Sequence, residues 1–364
     1  MKQIGIIIVT YQSERHIGPL LRSLAATVDP GQCAIWILDN ASPDATVSVI
    51  EREAKALKLS LRLVRSSLNL GFTRANNEVF SALQAETPCE TIILLNPDTV
   101  VHAGWWQPLL AELENPAVGT AASLLLLPGG AVNSRGNALH FLGLGFVQGY
   151  GEEASGLPEH FPFPLFSGSG AALAFRAATL EALNARLGLS GIFWEELFLY
   201  AEDTDLGWRM RLAGLENRLA PTSRVTHDHR FWLQRLQPLD ATGDRLFWIE
   251  RNRYLLLLAN FQWATLAFLL PWIVASEAAL SLGLWKLYPH RLRLWRAVWR
   301  EARSFRFRAR RRRLQAGRRV RDRDILRAMT GSIRHGALTF RRADRWLDAG
   351  LRWSHRFLCF VVRW

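Results

Sequence analysis

The chain has 364 residues, 49% of them hydrophobic, which suits a large buried core and excludes a disordered or low-complexity protein. Its net charge of +13 is uneven: residues 286–364 hold 24 Lys and Arg against 5 Asp and Glu, or +19, while the rest holds 21 against 27, or −6. Three scattered cysteines, Cys33, Cys89 and Cys359, form no CxxC pair, which argues against a disulfide framework or a structural zinc site and fits a reducing compartment.

The first apolar run, within MKQIGIIIVTYQSE, is short and rich in β-branched residues, so it reads as a buried strand rather than a signal segment. Ile4–Thr10, Ala34–Asp39, Leu61–Val64 and Thr91–Leu95 are predicted strands. The amphipathic stretches between and after them, His16–Ala26, Asp44–Leu57, Thr73–Ala85 and Trp105–Asn115, are predicted helices, with Ser42 or Asp44 capping the second. This alternation predicts an α/β fold with a mostly parallel sheet, and such sheets bind ligands at the carboxyl ends of their strands. Val118–Leu127 reads as a further strand, Pro128–Pro164 as a loop region, Phe166–Arg176 as a close-packed strand and Ser223–Thr226 as a late one.

From Tyr254 to Tyr288 only Glu277 and Lys286 carry full charges, and Ala264–Trp285 approaches the length of a membrane span. Pro271 and Glu277 favour helices lying in the interface over a true span. Residues 290–364 interleave arginines with Trp295, Trp299, Phe305, Phe307, Trp346, Trp353, Phe357, Phe360 and Trp364, a composition suited to the anionic surface of a membrane; a solvated basic face on a helical bundle is the bland alternative. The chain therefore divides into an α/β domain, 1–250, and a helical, basic and aromatic region, 251–364.

Polar residues follow the apolar runs where a ligand would sit. Thr10, Tyr11 and Asp39 end adjacent strands, and a carboxylate there can accept the N3–H of a uracil or thymine ring; a turn with a helix cap is the plain alternative for Asp39–Asp44. In Asn69-Leu70-Gly71-Phe72-Thr73-Arg74-Ala75-Asn76-Asn77, Gly71 permits close backbone approach and Arg74 can reach a phosphate or base, or simply be an exposed arginine. Asp98 of Asn96-Pro97-Asp98 is a candidate ligand for Mg²⁺ or Mn²⁺, with Asn96 where an acid might stand, so a second protein ligand must come from elsewhere. The segment Leu197–Arg209 places three carboxylates in four residues behind a buried aromatic run. In a helix starting near Glu202, Asp205 and Arg209 stand four apart and can pair, which releases Asp203 to face the pocket. His227, 24 residues beyond Asp203, can supply the missing metal ligand, with His229 as its competitor on the same strand face.

In this order, IIIVTYQSE, LDNASPDAT, NLGFTRANN, LLNPDT, GSGAALAFR and FLYAEDTDLGWRMRLAG resemble the family 2 glycosyltransferases of GT-A fold, most closely the rhamnosyltransferase-type branch of bacterial surface polysaccharide synthesis. The resemblance covers about residues 4–255. It implies that Thr10, Tyr11 and Asp39 hold the nucleobase, that Asn69, Gly71, Arg74 and Asn96 belong to the donor site, that Asp98 and His227 hold a divalent metal, and that Asp203 is the catalytic base. It further implies an inverting transfer from a dTDP- or UDP-linked sugar, rhamnose by branch similarity, to a lipid-linked or glycan acceptor, by a peripheral or monotopic enzyme on the cytoplasmic face of a bacterial inner membrane. Gln12 stands where the family often has Asn, and Trp194 replaces an acid at a position expected near the acceptor. A nucleotidyltransferase would need a lysine- and glycine-rich N-terminal phosphate loop, which is missing from the sequence; a nucleic-acid-binding role for the basic tail fits less well with the apolar stretch beside it.

Overall fold

A computed structural model of the chain describes residues 2–155, 164–227, 245–284, 291–333 and 342–364. His229, Trp285, Lys286, Tyr288, His290 and part of the expected 128–164 loop lie outside these residues.

Among the described residues the chain runs β1 (Lys2–Thr10), α1 (Ile17–Thr27), β2 (Cys33–Asp39), α2 (Thr46–Leu57), β3 (Leu61–Arg65), α3 (Gly71–Glu86), β4 (Cys89–Leu95) and β5 (Thr99–Val101). It continues through α4 (Gln107–Glu114), β6 (Val118–Leu126), β7 (Val132–Ser134), β8 (Asn137–Leu139), β9 (Gly145–Val147), β10 (Pro164–Leu165), β11 (Ala172–Arg176), α5 (Ala177–Leu187), α6 (Glu202–Leu212) and β12 (Glu216–His227). Six further helices follow: α7 (Arg245–Asn260), α8 (Trp263–Leu284), α9 (Arg291–Ala302), α10 (Phe305–Gly317), α11 (Asp322–Ala328) and α12 (Arg342–Val361).

The main sheet has the order β10-β12-β6-β11-β4-β1-β2-β3. β1, β2, β3 and β4 are parallel, and β11 runs antiparallel between β4 and β6, with its small residues Ala172 and Ala174 opposite Leu95 and Ile93. β1 reads as a continuous apolar run because both its faces are covered. Ile4, Ile6 and Ile8 pack in one core with Ile17, Leu20 and Leu24 of α1; Ile7 and Val9 pack in the other with Val79 and Leu83 of α3.

The region expected to be a loop over 128–164 is instead partly ordered, through β7, β8 and β9, and contributes buried residues from Val132 to Leu142. Its pairing partners are distant in sequence, so no local signal marked it. The close-packed strand begins at Ala172 rather than Phe166, and β12 starts seven residues before the expected Ser223, with a register shift between Ala220 and Arg224.

The basic tail is not one uniform interfacial surface. In α10, Phe307, Arg310 and Arg311 are buried, and α10 packs against α5 and α7. α7 itself crosses the expected division at 250/251, and its Glu250, Arg251, Asn252 and Arg253 are all buried. Glu277, costly on an apolar helix, accepts hydrogen bonds from the Tyr254 hydroxyl and from Trp295 Nε1, the latter at 3.3 Å. No described helix is long and apolar enough to cross a membrane.

Candidate active site

The ends of β1 and β2 are in register at Thr10 and Asp39. Thr10 Oγ1 donates to Asp39 Oδ1 at 3.0 Å and the Ser42 amide donates to Oδ2 at 3.0 Å, which fixes a carboxylate only 3% exposed while leaving acceptor capacity on both oxygens. Tyr11 follows at half-burial, its amide donating to Ser13 Oγ at 3.3 Å. Gln12 has φ 52°, the left-handed region that Asn tolerates better than Gln, which gives a physical reason for the Asn common in the family at this point. Asp44 receives the Thr46 amide at 3.2 Å at the start of α2, while Ser42 Oγ is occupied by the Gln12 amide at 3.1 Å.

Asn40, beside Asp39 at the end of β2, ties this corner to the next motif. Its Nδ2 donates to Asn69 Oδ1 at 2.9 Å and its Oδ1 accepts from the Leu70 amide at 2.8 Å, while Asn69 Oδ1 also accepts from the Gly71 amide at 2.9 Å. Gly71 has φ 76°, and a Cβ there would lie 2.3 Å from the Phe198 ring. The close approach that Gly71 permits is therefore by this protein's own Phe198. Arg74 is exposed in the first turn of α3 and pairs with Glu78 at 2.9 Å. Thr73 and Asn77 hold the segment before the acidic motif: Thr73 Oγ1 donates to the Glu195 carbonyl at 3.1 Å, and Asn77 Oδ1 accepts the Ile192 and Phe193 amides at 2.8 and 2.9 Å. Trp194, expected near the acceptor, is buried against Phe307 with the Arg310 guanidinium 4.4 Å from its ring centroid, so its ring faces α10.

Beyond β4, Asn96 is half-buried and its Oδ1 is a buried acceptor with no hydrogen-bond partner. Two residues on, Asp98 Oδ1 lies 3.3 Å from His227 Nε2. His227 is the last residue of β12, brought there because β12 pairs antiparallel with β5 and sets His227 against Thr99. A carboxylate, an imidazole and a nearby orphan amide oxygen suit a divalent ion of the Mg²⁺ or Mn²⁺ class. Among the described residues no third His, Cys, Asp or Glu joins the pair.

The acidic motif opens α6 after a strained turn in which Phe198, Tyr200 and Ala201 have φ of 63°, 68° and 67°. Such φ values at non-glycine residues each cost of order 1 kcal/mol or more and persist only where the surroundings impose them. Asn252, fully buried on α7, imposes them: its Nδ2 donates to the carbonyls of Leu197, Leu199 and Tyr200 at 2.9, 2.9 and 2.8 Å. Asp205 is wholly buried and pairs with Arg209 at 2.8 Å, as four-residue spacing requires, but also with Arg310 of α10 at 2.7 Å. Burial pushes the Asp205 carboxyl up, and the Arg310 and Arg209 guanidiniums outweigh it and hold the group below the usual carboxylate range.

Asp203 is thereby left to face outward. Its Oδ2 accepts from Asn137 Nδ2 at 2.9 Å and from the Gly170 amide at 3.3 Å, and its Oδ1 accepts from Thr204 Oγ1 at 3.2 Å. Glu202 is 9% exposed and its Oε2 has no partner. Burial, reinforced by the charge of Asp203, pushes the Glu202 carboxyl up to about 8. Burial also raises Asp203 above the usual carboxylate range, and the donors from Gly170, Thr204 and Asn137 oppose that shift only in part.

These pieces share one edge of the sheet. The Asn96 amide donates to the Ala171 carbonyl at 3.0 Å, and the neighbouring Gly170 donates to Asp203, so Asp203 lies beside the carboxyl end of β4, where Asn96-Pro97-Asp98 begins. Asn137, Asn252 and Arg310 were missed because each acts over a long sequence separation; the polar run Glu250–Arg253 before the apolar Tyr254–Leu258 was the one local sign that α7 serves something buried.

A sequence model described as Glycosyl transferase family 2 matches residues 5–170. The N-acetylglucosaminyl-diphospho-decaprenol L-rhamnosyltransferase of Mycobacterium tuberculosis is 29% identical over 247 residues, covering 62% of this chain and 75% of that one. Among solved structures, GalNAc-T7 with UDP, GalNAc and Mn²⁺ superposes with a TM-score of 0.55 at 14% identity, covering 72% of this chain and 49% of that one. S. aureus TarS gives 0.50 at 16% identity, covering 99% of this chain and 55% of that one. The chain thus spans about half the length of each of these two solved chains, and the likeness to them shows the fold.

Proposed function

We propose that the chain, which the Glycosyl transferase family 2 model matches over residues 5–170, is an inverting glycosyltransferase moving rhamnose from a dTDP- or UDP-linked donor to a lipid-linked acceptor in cell-surface glycan synthesis. The observation that carries this reading is the Asp203 carboxyl, positioned by hydrogen bonds from Asn137, Gly170 and Thr204 on the same sheet edge as the Asp98–His227 pair. The lipid-linked acceptor rests on the named substrate of the mycobacterial relative.

Thr10 and Asp39 fix the nucleobase, with the carboxylate accepting the ring N3–H. Asp98 and His227 would hold a divalent ion, which supplies positive charge to the departing diphosphate. Asp203 accepts the proton of the acceptor hydroxyl as its oxygen bonds to the sugar C1; the C1–O bond to the diphosphate breaks, the nucleoside diphosphate leaves, and the anomeric configuration inverts. Glu202 remains protonated and adds no second negative charge beside the base. Arg74 reaches the donor by exchanging Glu78, an exposed pair that holds it weakly.

The test is transfer by the purified full chain. Incubated with Mn²⁺ and dTDP- or UDP-sugars, it should glycosylate N-acetylglucosaminyl-diphospho-polyprenol with an anomeric configuration opposite to the donor's, read by NMR. Retention of configuration, or a nucleoside monophosphate as the leaving product, would refute this reading.

A further inference from the structure

On the side of α10 turned away from Asp205, the start of α8 and α10 enclose a cleft of about 910 Å³ lined by Trp263, Phe305, Arg308, Arg311 and Arg312. Arg311 forms its floor: it is 7% exposed, donates through Nη1 to the carbonyls of Leu258 and Phe261 at the end of α7, and lies 3.9 Å from the Trp263 ring centroid. Arg308 and Arg312 stand four residues apart, so they share one face of α10; both are exposed, and among the described residues neither forms an ion pair with an acid. Two rings with large exposed area, Trp263 at 66% and Phe305 at 73%, form the rim.

Two exposed arginines over a buried third suit a phosphate group, whose oxygens match the guanidinium fork. Aromatic rims with arginine clusters bind single-stranded nucleic acid as well as lipid headgroups, and the neighbouring surface decides between them. Trp263, Leu270 and Val274 recur at spacings that place them on one face of α8, and Leu270 and Val274 are 56% and 58% exposed. From Gln262 to Ser276 there is no charged residue. A nucleic acid gains nothing from that uncharged ridge, whereas a lipid whose phosphate lies in the cleft sets its acyl chains against it.

We propose that the cleft between α8 and α10 is a binding site for the phosphate headgroup of an anionic phospholipid, docking the enzyme on a membrane with its active-site edge held by the same helix α10. This rests on the reading of the acceptor as lipid-linked, and it adds a specific lipid site to it.

The test is flotation of the full chain with phosphatidylcholine vesicles containing or lacking phosphatidylglycerol, at fixed salt and without donor or acceptor. The double variant Arg308→Ala, Arg312→Ala should weaken binding to phosphatidylglycerol vesicles on the order of tenfold, and the charge-neutral Trp263→Ala should weaken it several-fold. The equally charged control Arg296→Ala, Arg300→Ala on α9 should change it less than about twofold, and melting temperatures of all variants should match the parent, since every altered side chain is exposed. Equal losses in both double variants, no effect of Trp263→Ala, or tighter binding to single-stranded DNA than to these vesicles at the same salt would overturn the proposal. Sugar transfer to a detergent-dispersed acceptor, read separately, should survive Trp263→Ala; its failure in the parent chain would count against the glycosyl-transfer reading and leave vesicle binding standing.

Discussion

Glu202 is buried and Asp203 half-buried beside it, and the fold gives hydrogen-bond donors to the Asp203 carboxyl and none to Oε2 of Glu202. A carboxyl raised from 4.5 to about 8 binds its proton more tightly in the folded than in the unfolded chain. The stability this proton contributes is complete below pH 4.5 and is lost as pH rises towards 8, by up to a few kcal/mol at about 1.36 kcal/mol per pKa unit. Glu202→Gln should therefore melt higher than the parent at pH 8 and equally near pH 4.5; a gain of the same size at both would show that the carboxyl is not raised. Asp39 gives a separate test. Under the proposed role of Asp39 in holding the nucleobase, Asp39→Ala should weaken binding of UDP and dTDP by about 1.5–3 kcal/mol, read by calorimetry, because the lost hydrogen bond is to a charged group. These side chains were legible in the sequence because each follows an apolar run at a strand end. Asn137 was not, since nothing in a stretch rich in glycine and aromatics says that it will meet a residue 66 positions away.

At the level of elements, the parallel core was legible because its strands and helices alternate with clean periodicity, whereas β7–β9 and the long β12 depend on partners far along the chain. The acidic turn before α6 is the clearest case of a local conflict settled from a distance. Its three left-handed residues follow no glycine pattern, and Asn252 of α7 holds them. Asn252→Ala should let this turn relax and shift Asp203, lowering kcat on the order of 10²-fold while leaving the dissociation constant for the nucleoside diphosphate unchanged. A parallel loss of nucleotide binding would mean a general collapse instead. Arg310 acts on the same helix through Asp205, which has 0% side-chain exposure, so Arg310→Ala should cost about 3–5 kcal/mol in urea unfolding. Arg306→Ala, at a side chain 85% exposed and 3.8 Å from Glu196, should cost less than about 1 kcal/mol.

Across the whole molecule, charge and composition separated a mildly acidic first part from a strongly basic second, but not the way the two are joined. Arg310 and Arg311, counted in the basic segment 286–364, are buried and bond the Asp205 carboxylate and the Phe261 carbonyl, and Arg251 and Arg253 of α7 are buried likewise against the carbonyls of Glu196 and Leu142. What composition presents as a surface is in these places an interior, because an arginine can be buried when its five donors find fixed acceptors. The second part is therefore expected to complete the first. The central claim is that Asp203, delivered by this joint construction to the edge shared with Asp98 and His227, is the base for glycosyl transfer. Its most direct test is a comparison of Asp203→Asn with the parent under saturating donor, acceptor and Mn²⁺. The account predicts a turnover lowered about 10²–10⁴-fold with Mn²⁺-dependent binding of the nucleoside diphosphate unchanged; an unaltered turnover in Asp203→Asn would contradict it.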